Sequence, residues 1–225
     1  MRVAAVVPAG GAGLRMGGAG VRKQYVRLAG EPVLLRAIRP LRSDPRVEWV
    51  ILALPPDDVA DPPFPLPAGI RVVAGGAERG DSVRNALAAV PPEADVVMVH
   101  DAARPLLTRE VVDRVLAAVD AGTGAIAALP LADTLKRVGD DGTIEKTVPR
   151  RGFWRAQTPQ AFPRGMILDA HGRAARDGVS ATDDAELVER YGGRVVVVRG
   201  DARNLKITSP GDLALAERLL GPDAA

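Results

Sequence analysis

Residues 8–25, PAGGAGLRMGGAGVRKQY, place six glycines between Gly10 and Gly20 and add two spaced cations, Arg15 and Lys23. The stretch follows an apolar run, Val3 to Val7, that reads as a strand. Glycines remove side-chain bulk, so backbone N–H groups can close on a polyphosphate, with Arg15 and Lys23 charging the two ends. Spacing excludes the two common phosphate loops. A dinucleotide turn begun at Gly11 needs a third glycine where Met16 stands. A P-loop needs Gly-Lys followed by Ser or Thr, whereas Lys23 lies between Arg22 and Gln24. What remains is a long, loose polyphosphate wrap.

Other chemistry-bearing residues are sparse. Only four of the 30 basic residues are lysine: Lys23, Lys136, Lys146 and Lys206. In a chain that otherwise uses arginine, each is a candidate for a position that wants a compact ammonium rather than a planar fork. Asp101 follows the apolar run 95–99, at the carboxyl edge where open α/β sheets bind ligands. Magnesium takes a hard oxygen there and leaves its other positions to phosphates and water. The two histidines, His100 and His171, are too few for a histidine-based zinc site, and the absence of cysteine excludes disulfides and thiolate sites.

Short β-branched runs alternate with helical periodicity, the signature of an α/β domain with a mostly parallel sheet. Strands are predicted at 2–7, 47–54, 70–74, 95–99, 124–129 and 194–198. Helices are predicted near 32–42, 81–90, 109–120, 164–175, 183–191 and 210–220. Asp81 or Ser82, Thr108, Thr182, and Ser209 followed by Pro210 supply start signals. Pro40 predicts a kink or early stop in the first helix. The segment 55–69, with six prolines, reads as a surface loop. Between 131 and 160 the rhythm breaks. Extended stretches at 133–138 and 143–148 flank GDDG, a hairpin turn, and predict an inserted β-arm at about 131–155. Phe153 and Trp154 offer that arm a surface for a partner subunit.

At 225 residues, 47% of them hydrophobic, the chain suits one domain with a full core. The net charge is only +2 and no block of five like charges occurs, which argues against nucleic-acid binding. No apolar run approaches a membrane span, and no signal-peptide pattern opens the chain, so the expected location is the cytoplasm.

The loop signature resembles nucleotidyltransferases that couple nucleoside triphosphates to phosphorylated small molecules. VAGGAERGDSV (73–83), VHDAARP (99–105), ADTLK (132–136), TVPRRGFW (147–154), QTPQAF (157–162), ATDDA (181–185) and NLKIT (204–208) are similar, in order, to the 2-C-methyl-D-erythritol 4-phosphate cytidylyltransferase family. The resemblance implies transfer of CMP from CTP to methylerythritol phosphate, with magnesium, on a Rossmann-like sheet flanked by helices. Its β-arm would clasp a second subunit to make a homodimer.

By the same resemblance Arg15 and Lys23 stabilise the transition state. Pro8, Ala9, Gly10, Gly11, Gly13, Gly75, Gly76, Ser82, Asp101 and Ala102 contact CTP, and Asp101 is the metal ligand. Thr134, Arg150, Thr158, Thr182 and Lys206 contact the sugar phosphate, with Arg150 and Lys206 also counted as catalytic. Thr134 and Arg150 would reach the neighbouring subunit's site. In PRRG the register favours Arg150, with Arg151 the alternative. Ser82, Thr182 and Asp183 also read as helix caps, capping being the better reading for Asp183. His100 reads as structural, since an ionised phosphate nucleophile needs no base. Two departures stand out: Gly11 where alanine is usual, and Ala77 where relatives can carry an acidic residue. A polyol-phosphate acceptor such as ribitol 5-phosphate is the nearest alternative; a nicotinamide-dependent Rossmann oxidoreductase is more distant, because the third glycine is missing.

Overall fold

The computed structural model describes residues 1–11 and 21–221. Seven strands form the central sheet: β1 (Val3–Pro8), β4 (Val47–Leu54), β5 (Ile70–Ala74), β6 (Val96–Val99), β7 (Thr123–Pro130), β10 (Trp154–Pro163) and β11 (Arg194–Arg199). Their spatial order is β11-β7-β10-β6-β1-β4-β5. Neighbours pair in parallel except β10, which runs antiparallel to both β6 and β7. The mostly parallel α/β architecture is therefore as expected, and β10 is the strand that the sequence pattern did not disclose.

Strand residues alternate between two helical layers. Val3, Ala5 and Val7 join the cluster under α1 (Val33–Arg42) and α3 (Arg109–Ala117). Ala4 and Val6 join the cluster under α2 (Arg79–Leu87), α4 (Arg164–Asp177) and α5 (Asp184–Arg190). This double burial is why β1 reads as a continuous apolar run. A third cluster seats α6 (Pro210–Leu220) through Ala216 against Leu28, Val33, Leu106 and Ile207. Two short strands, β2 (Arg27–Leu28) and β3 (Glu31–Pro32), form a small ribbon before α1.

Several start signals need correction. Helix α2 begins at Arg79, not 81, and its N-cap is Glu78, whose N–H donates to Asp81 Oδ2 at 3.2 Å. Asp81 thus serves from inside the first turn, while Ser82 bridges backbone groups instead of capping. Helix α5 is capped by Asp183, which accepts from Glu186 N at 2.9 Å. Thr182 stands one residue outside, bonded to Glu186 Oε2. Thr108 and Ser209 occupy the expected N-cap positions, with Pro210 opening α6. Pro40 does not stop α1, which continues to Arg42. In the last turn its missing donor costs one helical bond, and Ile38 and Leu41 bury on the core side.

The hairpin exists as β8 (Leu135–Val138) and β9 (Ile144–Val148), paired antiparallel and separate from the central sheet. Its C-terminal boundary differs from expectation: Trp154 and Arg155 already pair with Pro130 and Leu129 as part of β10.

Candidate functional site

At the carboxyl ends of β1 and β6 lies a cavity of about 140 Å³, lined by Pro8, Ala9, Gly10, Gly11, Lys23, Ser82, Asp101, Ala102 and Lys206 among others. A second cavity of about 200 Å³ adjoins it and includes Thr158, Thr182, Asp101 and Lys206. Asp101, Arg79 and Lys206 line both. The fold thus gathers most of the expected site from segments far apart in sequence. Arg15 and Gly13 lie outside the described residues.

Glycine has a steric reason at the floor of the first cavity. A Cβ on Gly10 would stand 2.8 Å from Ser82 Oγ and 3.0 Å from Gly75 Cα. A Cβ on Gly75 would meet Gly10 Cα at 2.8 Å. The loop after β1 and the loop after β5 therefore touch backbone to backbone. Gly76 is constrained from the other side, since its Cβ would collide with Asp81 in the first turn of α2. The hydroxyl of Ser82, 1% exposed, accepts from Gly76 N at 3.1 Å and donates to Glu78 O at 3.2 Å. Ser82 is thereby tied into the wall of the cavity.

Asp101 is the electrostatic centre. Its Oδ1 accepts from Arg79 Nε at 3.0 Å, its Oδ2 pairs with Lys206 Nζ at 2.9 Å, and Arg104 Nε stands at 3.7 Å. Burial alone would raise the Asp101 carboxyl, but Arg79, Lys206 and Arg104 outweigh it and hold the group far below the usual carboxylate range. The backbone is fixed as well: Asp101 N donates to Thr158 Oγ1 at 3.0 Å. His100, fully buried, lies with Nδ1 3.1 Å from the same hydroxyl and Nε2 3.1 Å from Arg104 O. Burial pushes its imidazole down to about 4, so it stays neutral and structural at physiological pH.

Lys206 is delivered by a strap. Gln157 in β10 bonds Asp201 and Asn204 through Nε2, at 2.9 and 3.2 Å, and accepts from Asp201 N. Asn204 Nδ2 returns a 2.7 Å bond to Thr158 O, and Ile207 N donates to Ala103 O. These contacts seat 201–207 against the middle of β10, where the register breaks between Ala156 and Gln160.

The motif reading gave Arg79 no role, yet it is the hub. Its Nη2 donates to Asp184 Oδ2 at 2.8 Å while Nε holds Asp101. Asp184, fully buried, is also 3.0 Å from His171 Nε2. Arg79 was visible only as the arginine inside GGAERGDS, and nothing local distinguishes it from the chain's other arginines.

Thr134 and Arg150 are exposed on or beside the arm and line neither cavity of their own chain. Arg150 Nη1 instead bonds Ala132 O. Among the described residues no group of three His, Asp or Glu side chains could hold a metal alone. The donor set fits magnesium only as one carboxylate, Asp101, combined with a ligand's phosphates.

Residues 3–222 match the family model described as IspD: 2-C-methyl-D-erythritol 4-phosphate cytidylyltransferase. The curated protein of that name from Syntrophus aciditrophicus is 43% identical, with 97% of this chain and 96% of that protein covered. The one from Saccharopolyspora erythraea is 47% identical, over 98% of this chain and all of its own length. A crystal structure of the Thermus thermophilus enzyme superposes with a TM-score of 0.82 at 36% identity, covering 97% of this chain and 98% of that one. Full-length coverage at these identities, together with the site geometry, shows that the chain belongs to the 2-C-methyl-D-erythritol 4-phosphate cytidylyltransferase family.

Proposed function

We infer that the chain transfers CMP from CTP to 2-C-methyl-D-erythritol 4-phosphate, giving 4-diphosphocytidyl-2-C-methyl-D-erythritol and pyrophosphate. The observation that carries this reading, beyond family membership, is that two cavities meet at Asp101, Arg79 and Lys206. One cavity has the backbone floor for a nucleotide; the other offers Lys206 to an acceptor phosphate. An oxygen of the acceptor phosphate attacks the α-phosphorus of CTP, the bond to the β-phosphate's bridging oxygen breaks, and pyrophosphate leaves. Two anions must be brought together, so the protein contributes positioning and positive charge, with no proton to remove.

In this reading Gly75, Gly76 and Ser82 receive the cytidine while Pro8 to Gly11, Gly13 and Ala102 surround the triphosphate. Arg15 and Lys23 neutralise charge that builds at the α-phosphate. Lys206 orients the acceptor phosphate, with Thr182 at the rim. Thr158 acts by fixing Asp101, since its hydroxyl is engaged by Asp101 N and His100. Asp101 would hold magnesium carried in on the triphosphate, an ion that supplies further charge neutralisation when bound. Because Thr134 and Arg150 line neither of the two cavities that meet at Asp101, we place them in the neighbouring subunit's site, within a cytoplasmic homodimer of single nucleotidyltransferase domains clasped by the arms.

Incubation with CTP and either methylerythritol phosphate or ribitol 5-phosphate tests the assignment. Pyrophosphate release with the first acceptor is expected. Turnover of ribitol 5-phosphate alone would replace the acceptor.

A further inference from the structure

The six-proline segment at 55–69 has no part in the mechanism so far, although it lies against the end of the glycine-rich stretch. Lys23 opens a short 3-10 turn, Lys23–Tyr25, and the residues around it are tied down. Arg22 Nη1 donates to Asp58 Oδ2 at 2.5 Å, and the Tyr25 hydroxyl donates to the same oxygen at 2.6 Å. The Tyr25 ring also meets Phe64 edge-on, with centroids 5.4 Å apart. Asp58 ends a turn, Pro56–Asp58, that Pro55 and Pro56 set by fixing φ, so the carboxylate is presented from a stiff support. Desolvation, followed by the bond to Asp58, pushes the Tyr25 hydroxyl up, so it remains a donor across the physiological range.

Gln24 anchors the turn from the opposite side. It is 3% exposed, and its Nε2 donates to Ala9 O at 2.7 Å and Gly11 O at 3.3 Å. Gln24 therefore bonds the start of the glycine loop to its end. Lys23 lies between a residue fixed to the loop base and residues fixed to the proline segment, and it lines the first cavity. Arg22, the adjacent cation, is held by Asp58 and does not line the first cavity, whereas Lys23 does.

We propose that the proline segment is a positioning element for nucleotidyl transfer: Asp58 and Phe64, through Tyr25 and Arg22, fix the backbone from which Lys23 reaches the phosphates. A lysine stem has four rotatable bonds, so the ammonium is only as well placed as its Cα. This rests on the reading that Lys23 acts on CTP. Misplacement of a charged group by about 1 Å can cost up to about a hundredfold in rate, so Asp58→Ala and Tyr25→Phe are each expected to lower kcat by roughly tenfold. The acceptor KM should stay unchanged. Asp58→Asn, which keeps an oxygen for the Tyr25 hydroxyl, should lose less than Asp58→Ala.

The decisive comparison is made in the Lys23→Ala background, with single-turnover rates. There Asp58→Ala and Tyr25→Phe should cost nothing further, because the group they position is gone. An equal loss in both backgrounds, or an unchanged kcat in the single variants, would overturn the proposal. Tyr25→Phe keeps the ring on Phe64 and serves if Asp58→Ala fails to fold. Absence of turnover by the unmodified enzyme with CTP and methylerythritol phosphate would sink the functional reading instead, so the two failures are distinct.

Discussion

Lys206 lines both cavities and pairs with Asp101, whereas Lys23 lines only the nucleotide side. The two therefore predict different kinetic losses. Lys23→Ala should lower kcat by about a hundredfold or more while moving the CTP KM far less, as for loss of a donor used mainly in the transition state; steady-state kinetics check this. Arg79→Ala should destabilise the fold by about 3 kcal/mol, because it leaves the fully buried Asp184 carboxylate without its guanidinium, and urea melts at pH 7 measure that cost. A separate acid limb belongs to His100. Its folded pKa of about 4 lies below the ordinary histidine value, so the unfolded chain binds the proton first. Stability from neutral His100 is complete above about pH 6.5 and is lost as pH falls from there toward 4. Asp101, with its pKa lowered, sheds its contribution only below about pH 4, so a fall in denaturant midpoint between pH 7 and 5 that a His100→Asn variant lacks would report the histidine.

The loop-to-loop contact of Gly10 with Gly75 sets the expectation for the elements. A Cβ at position 75 would press on Gly10 Cα and, at 3.1 Å, on Leu54 O, neither of which is a flexible side chain. Gly75→Ala should therefore move the two loops apart, cost about 1–3 kcal/mol of stability and raise the CTP KM, as melting and initial-rate data would register. The elements were legible in proportion to their local signal. β1, β4, β6 and β11 are built around Val-, Ile- and Leu-rich apolar runs, mostly buried or half-buried between two helical layers, and such runs announce themselves. β10 carries Gln157, Thr158, Pro159, Gln160 and Pro163, which read as loop; it becomes a strand because β6 and β7 flank it on both sides. The site divides the same way. Gly75, Gly76 and Asp101 sit inside recognisable blocks. Arg79 gains its role from Asp101, 22 residues away, and from Asp184, 105 residues away, partners that no local pattern names. Nor does composition reveal that Asp58 meets Tyr25 across 33 residues.

For the whole molecule, the arm carries the argument for shared sites. Val138, Ile144, Phe153 and Trp154 are all exposed by 45% or more in the single chain, an apolar set suited to burial against a second copy. Neither Thr134 nor Arg150 lines either of the two cavities that meet at Asp101. Mixing inactive Lys23→Ala protein with inactive Arg150→Ala protein should restore partial activity after subunit exchange, because one hybrid site would be intact; no recovery would mean self-contained sites. The measurement that bears most directly on the whole account is a crystal structure with CTP bound. It should place the cytosine at Gly75, Gly76 and Ser82, the triphosphate along Gly10 to Lys23, and the α-phosphate beside Asp101 and Lys206. A nucleotide seated elsewhere, or an α-phosphate remote from Lys206, would contradict it.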